Sequence, residues 1–176
     1  MTSPVTRIVL VGLPGAGKST VGALAAERLG WAFADLDVEI ERVAGRTVAE
    51  IFAEEGEAGF RARERDATRA LRGREQVVVA SGGGWALDPL NREMLGRETA
   101  LVHLRVSPSV AARRLAEAPD TRPLLDPAEP EKSLRQLLDA REAAYMQANH
   151  TVTVDSMTPI EVASLIVALA TGRGAD

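Results

Sequence analysis

The chain has 176 residues, a formal charge of −4 at pH 7, no cysteine and two histidines. That length suits one domain with a real core; the mild acidity offers nucleic acid no basic patch, and the missing cysteines exclude disulfides and thiolate metal sites. His103 and His150 lack zinc spacing, residues 1–5 show no leader pattern, and no apolar stretch is long enough to cross a bilayer, so a cytoplasmic protein with no membrane partner is expected.

The apolar run Ile8-Val9-Leu10-Val11 predicts a first strand over 7–11. A helix is expected over 17–29, with Val21, Leu24, Ala25 and Leu29 on one face and Gly30 as its C-cap. A short strand over 31–34 leads to Asp35-Leu36-Asp37, and Val38, Ile40, Val43 and Ala44 predict a helix stopped by Gly45. Thr47 with Glu50 three residues later spells a capping box, with Val48, Ile51 and Phe52 inward. Gly56 breaks that pattern, and a polar helix over 57–72 follows as a mostly solvated face. A buried strand over 76–80 runs straight into Gly82-Gly83-Gly84.

Asp88 and Pro89 open a short helix to Leu95, residues 100–106 form a strand, and Ser107-Pro108 opens a helix to about Leu115. Four prolines and little apolar content mark 116–130 as a loop. Helical periodicity returns over 131–147, a last strand is expected over 151–154, and an amphipathic helix over 159–170. Alternating strands and helices imply a parallel sheet covered on both faces. Ligands of such sheets bind beyond the carboxyl ends of the strands.

The segment Gly12-Leu13-Pro14-Gly15-Ala16-Gly17-Lys18-Ser19-Thr20 lies at such an end. It has the G-x-x-x-x-G-K-[ST] spacing of a phosphate-binding loop between strand and helix. Its glycines let successive N–H groups face a phosphate, the helix start adds a positive dipole end, Lys18 reaches the β- and γ-phosphates, and Ser19 suits Mg²⁺. Lysine occurs only at 18 and 132 in a chain that otherwise uses arginine, which supports a selected role for Lys18. Asp35 and Asp37 follow the second strand. In extended backbone they share a face, one for a Mg²⁺ water and one for an acceptor hydroxyl; the alternative is a helix N-terminus decorated with acids. Three glycines after the third strand weaken a fold unless something approaches the main chain closely.

This ordered set resembles the shikimate kinase family, a nucleoside-monophosphate-kinase-like branch of phosphate-loop proteins, over nearly the whole chain. The resemblance rests on Gly12–Thr20, Asp35-Leu36-Asp37, Gly45-Arg46-Thr47 with Ile51-Phe52, Gly56-Glu57 with Phe60-Arg61 and Glu64, Gly82–Gly84, Arg122-Pro123-Leu124-Leu125, and Arg141-Glu142 with Tyr145. It implies a three-layer α/β/α fold with a five-stranded parallel sheet of order 2-3-1-4-5. It also implies one monomeric kinase domain over 1–176, with an acceptor-binding region over 37–72 and a lid over 116–130.

The implied activity is ATP-dependent phosphorylation of shikimate to 3-phosphoshikimate with Mg²⁺. By the same resemblance, Gly12, Leu13, Pro14, Gly15, Ala16, Gly17, Lys18, Ser19 and Thr20 hold the nucleotide. Ser19 ligates Mg²⁺ with Asp35 acting through water. Asp37, Lys18 and Arg122 carry catalysis, Asp37 as the candidate base. Arg61 and Arg141 bind the acceptor carboxylate, Glu64 steadies Arg61, Gly82, Gly83 and Gly84 pack on the acceptor ring, and Arg113, or Arg114 in its place, stacks on adenine. Trp85 departs from the smaller residue usual after the triple glycine; it either narrows the acceptor pocket or covers it. Rival readings are a kinase of another carboxylated polyol such as gluconate, and a nucleotide-binding module without catalysis. A guanine-reading N-K-x-D motif is missing, and a silent module would be expected to lose Lys18, Asp37 or Arg122, which all remain.

Overall fold

Five strands form one parallel sheet: β1 (Arg7–Val11), β2 (Ala32–Asp35), β3 (Val77–Ala80), β4 (Thr99–Arg105) and β5 (His150–Thr153). The structure is a computed structural model and describes residues 5–118 and 123–172. The strand order is β2-β3-β1-β4-β5, as the resemblance implied. The central strands β1, β3 and β4 are near-continuous apolar runs buried on both faces, while β2 and β5 at the sheet edges are partly exposed. Register pairs Val9 with Val79 on one side and with Leu101 on the other, which brings the ends of β1, β2 and β3 level.

Seven helices cover the sheet: α1 (Lys18–Leu29), α2 (Leu36–Ala44), α3 (Val48–Ala70), α4 (Pro89–Leu95), α5 (Pro108–Ala116), α6 (Pro130–Tyr145) and α7 (Pro159–Thr171), counted among the described residues. The caps follow the sequence. Gly30 and Gly45 end α1 and α2 in the left-handed conformation. Thr47 and Glu50 form the reciprocal capping box of α3, with Glu50 N–H donating to Thr47 Oγ1 at 3.2 Å and Thr47 N–H to Glu50 Oε2 at 2.7 Å. A second box, Thr158 with Glu161, opens α7.

Two features add to the sequence reading and one corrects it. The break expected at Gly56 is present: two helical segments meet at a kink within α3, where Gly56 takes the non-helical φ 71° and ψ −176°. Trp85–Leu87 forms a 3-10 turn that the sequence pattern did not announce. Asp37 is not in extended backbone, because β2 ends at Asp35 and Asp37 lies in the first turn of α2.

The far end of the sheet is held by a buried arginine. Arg7 donates to the carbonyl oxygens of Leu95 at 2.6 Å and Leu71 at 3.3 Å and to Thr99 Oγ1 at 3.0 Å, and also bonds the Arg74 carbonyl. It thereby satisfies main-chain acceptors where α3 and α4 finish. Ligand-binding groups gather at the opposite end.

Candidate active site

The phosphate loop is shaped by contacts that leave no room for side chains. A Cβ at Gly12, whose φ is 148°, would lie 2.6 Å from the Leu104 carbonyl oxygen; one at Gly15 would lie 2.8 Å from that of Ala111. The loop therefore packs tightly on β4 and α5 while its own curvature needs positive φ. Lys18 opens α1 and turns back over the loop, donating to the carbonyls of Gly12 at 2.7 Å and Leu13 at 2.9 Å. Its ammonium is thus held above the ring of loop amides. A cavity of about 450 Å³ lies there, lined by Pro14 through Val21.

Asp35 does two jobs. Its Oδ1 caps α2, accepting from the N–H groups of Asp37 at 3.1 Å and Val38 at 3.3 Å. Its Oδ2 accepts the Ser19 hydroxyl. A carboxylate and a hydroxyl meeting at the mouth of a phosphate loop form an all-oxygen donor pair, which fits a hard divalent cation that keeps most of its waters and phosphate ligands. No cluster of three or more His, Asp or Glu side chains suited to a metal occurs among the described residues.

A second cavity of about 460 Å³ adjoins the first. Pro14, Ser19, Asp35, Asp37, Gly82 and Gly83 line both. Asp37 therefore stands at the junction, beside Lys18 and Ser19 on one side and the second cavity on the other. Arg61 from α3 and Arg141 from α6 line that second cavity, with Phe52, Phe60, Pro123, Leu124 and Leu125 as apolar walls.

The triple glycine explains how two arginines fit. A Cβ at Gly84 would strike the Arg61 guanidinium, one at Gly83 would lie 2.8 Å from Arg141 Nη1, and one at Gly82 would lie 2.7 Å from Glu64 Oε1 and 3.2 Å from Asp37 Oδ1. Each glycine leaves space for a different charged arm. The expectation that a ligand alone demands these glycines is thus incomplete: the site's own side chains demand them.

Glu64 is 1 % exposed and ion-pairs Arg61 at 2.9 Å, one helical turn along α3. Glu57 pairs the same guanidinium at 3.1 Å from the solvent side. Burial opposes the Arg61 charge, but Glu64 and Glu57 outweigh it and raise its pKa. Burial pushes the Glu64 carboxyl up, and Arg61 pulls against that shift. Arg141 is 3 % exposed. Two planar guanidinium groups facing one cavity suit a small carboxylate, which accepts bidentate N–H donors.

Trp85 does not enter this cavity. It is buried in the main core, its indole N–H donates to Thr68 Oγ1 at 2.9 Å, and its carbonyl accepts from Asn91 Nδ2 at 3.0 Å. It ties the end of the glycine run to α3 and leaves pocket width to other residues.

On the nucleotide side, the two candidate arginines separate. Arg113 is exposed and lies off the cavity, whereas Arg114 lines it and donates to the Val154 carbonyl at 2.8 Å. Successive helical residues point about 100° apart, so only one of the pair can face the loop. Met157, Pro159 and Val162 complete the wall. Sequence reading did not reach these residues, because their nearness to the loop comes from α7 packing on α1. Arg122 lies outside the described residues.

A phosphate loop opening onto an arginine-flanked pocket for a small acid, on this sheet order, defines a phosphotransferase acting on a small molecule. Comparison with known proteins narrows the class. The family model described as shikimate kinase matches residues 14–171. Shikimate kinase of Pelotomaculum thermopropionicum is 41 % identical over 152 residues, 86 % of this chain and 88 % of that one. The Symbiobacterium thermophilum shikimate kinase is 46 % identical over 145 residues, 82 % and 83 % of the two chains. Among solved structures, shikimate kinase from Acinetobacter baumannii in complex with shikimate superposes with a TM-score of 0.89 at 38 % identity, covering 98 % of this chain and 96 % of that one. The chain belongs to the shikimate kinase family.

Proposed function

We propose that the protein transfers the γ-phosphoryl group of ATP to the 3-hydroxyl of shikimate, giving 3-phosphoshikimate and ADP. The observation that carries this reading is the junction of the two cavities at Ser19, Asp35 and Asp37. Gly12 through Thr20 bind the phosphates, with Lys18 as the point charge; Arg114 rather than Arg113 covers the adenine. Arg61 and Arg141 clamp the acceptor carboxylate, and the Gly82–Gly84 backbone forms the floor beneath its ring. The acceptor oxygen attacks the γ-phosphorus in line, the bond to the bridging oxygen of ADP breaks, and Asp37 takes the hydroxyl proton. Mg²⁺ held by Ser19 and, through water, Asp35 supplies charge neutralisation on the phosphates.

Residues 37–72 are assigned to acceptor binding and 116–130 to a lid that excludes water as a rival acceptor and brings in Arg122. A monomeric catalyst in a cytoplasmic setting belongs to the same reading. No helix of the described residues is long and apolar enough to cross a membrane.

The test is ATP consumption with shikimate, gluconate, quinate and a nucleoside monophosphate offered in turn. Turnover is expected with shikimate, and preference for any other acceptor overturns the reading. Asp37→Asn is expected to bind ATP normally and lose about 10²–10⁴-fold in kcat. Wild-type turnover in that variant removes Asp37 as base. Arg61→Ala and Arg141→Ala are each expected to raise KM for shikimate with little change in KM for ATP. Unchanged acceptor affinity in both sinks the carboxylate clamp.

A further inference from the structure

Tyr145 ends α6 one turn beyond Arg141, is fully buried, and is the chain's one tyrosine. It lines neither cavity of the site. Its ring stacks on His103 with centroids 4.9 Å apart, and a phenylalanine would fill the same volume. What the phenol adds is a hydroxyl that donates to the Gly83 carbonyl oxygen. Burial weighs most on this hydroxyl, and the charge of the nearby Arg141 guanidinium acts on it in the opposite direction. That guanidinium also packs where a Gly83 side chain would stand. Phenol, guanidinium and glycine carbonyl thus meet at one point behind the acceptor cavity.

The consequence follows from peptide geometry. A trans peptide is planar, with its C=O and N–H pointing in opposite directions. Drawing the Gly83 carbonyl toward Tyr145 turns the Gly84 N–H to the side away from the phenol, and both glycines line the acceptor cavity. Glycine has little intrinsic preference for one such orientation, so the plane needs an external hold. Burial raises the phenol pKa, which keeps the proton available for donation.

We propose that Tyr145 is a positioning residue for the acceptor: its hydroxyl fixes the Gly83–Gly84 peptide plane and the Arg141 guanidinium in one arrangement, and so sets affinity for the carboxylated acceptor without touching it. The proposal rests on the shikimate reading above, and the experiment separates the two. Wild-type chain is first titrated with shikimate. If wild type binds none of the acceptor acids, the functional reading fails and the proposal falls with it, on the wild-type measurement alone.

With binding established, Tyr145→Phe is expected to raise KM for shikimate roughly tenfold, the effect of losing one buried hydrogen bond, while KM for ATP stays unchanged. A folded variant with wild-type KM for shikimate overturns the proposal, and so does an equal rise in both KM values, which marks general loosening. Should the variant not fold, wild-type chain labelled with 3-fluorotyrosine carries one fluorine resonance. Shikimate is expected to shift it; a resonance indifferent to saturating shikimate overturns the proposal.

Discussion

At the scale of single residues, burial decides which charges the molecule keeps. His103 sits in β4 at 3 % exposure with its Nδ1 lacking a hydrogen-bond partner. Burial, with the cations Arg105 and Lys18 nearby, lowers its pKa from 6.5 to about 4. The folded chain therefore holds this imidazole neutral where an unfolded chain would protonate it. The associated stability is present above pH 6.5 and is lost as pH falls through 4. His103→Phe is expected to lose about 2 kcal/mol less unfolding free energy than wild type between pH 7 and pH 5, since each pKa unit is worth ~1.4 kcal/mol. Denaturant titrations at the two pH values measure this; equal losses in both proteins refute it.

Residue identity also shows where sequence reading stops. The phosphate loop and the Thr47 capping box were legible because each is written in local spacing, and the Arg61–Glu64 pair was implied by the family resemblance. The role of Trp85 stayed open because direction is not local: whether it faced the acceptor or the core depended on Thr68, seventeen positions away. Arg113 and Arg114 could not be separated without knowing how α5 is rotated about its axis.

At the scale of elements, α3 carries the main conformational compromise. It must start against α2, bend, and then lay Arg61 and Glu64 beside the glycine run. Gly56 supplies the bend in a backbone region that other residues avoid, although a Cβ there would meet open space. Around it, Glu55 just before the bend pairs with Arg63 beyond it and with Arg46 from the preceding turn. Gly56→Ala is expected to cost about 1–3 kcal/mol of stability through backbone strain alone. Gly45 is also free of steric neighbours but has ordinary left-handed geometry, φ 64° and ψ 20°, so Gly45→Asn is expected to cost much less. Equal midpoints for the two variants in denaturant would contradict this account. The sequence disclosed both the break at Gly56 and the helix that follows it, because a glycine inside a helical pattern and the return of periodicity beyond it are local signals; the direction of the bend is set by packing and was not legible.

At the scale of the molecule, the sheet sets two cavities side by side that share one wall and draw the rest of their linings from different parts. The nucleotide cavity draws on the loop after β1, α5 and α7; the acceptor cavity draws on α2, α3, α6 and the glycine run. Ligand linkage should therefore be separable. ADP with Mg²⁺ and shikimate are each expected to raise the unfolding temperature, by the equivalent of about 2.7 kcal/mol at a hundred times Kd. Lys18→Ala is expected to diminish the nucleotide shift while keeping the shikimate shift. Loss of both shifts in a folded variant would mean that the cavities do not act as distinct sites. Alternation of strands and helices made this architecture readable from the chain, and with it the meeting of the three strand-end motifs that form the shared wall; what α5, α6 and α7 add to each cavity was not legible, since it is created by packing between segments remote in sequence.

The wall that α7 contributes to the nucleotide cavity also has a bearing on biosynthesis. The loop that grips phosphate leaves the ribosome early, but Pro159 and Val162 emerge long after it. A nascent chain thus displays a recognisable phosphate motif with one side of its cradle still untranslated. On the kinase reading proposed above, a chain that stops before β5 is expected to hold ATP less tightly than the full chain, which nucleotide titration of the two would measure.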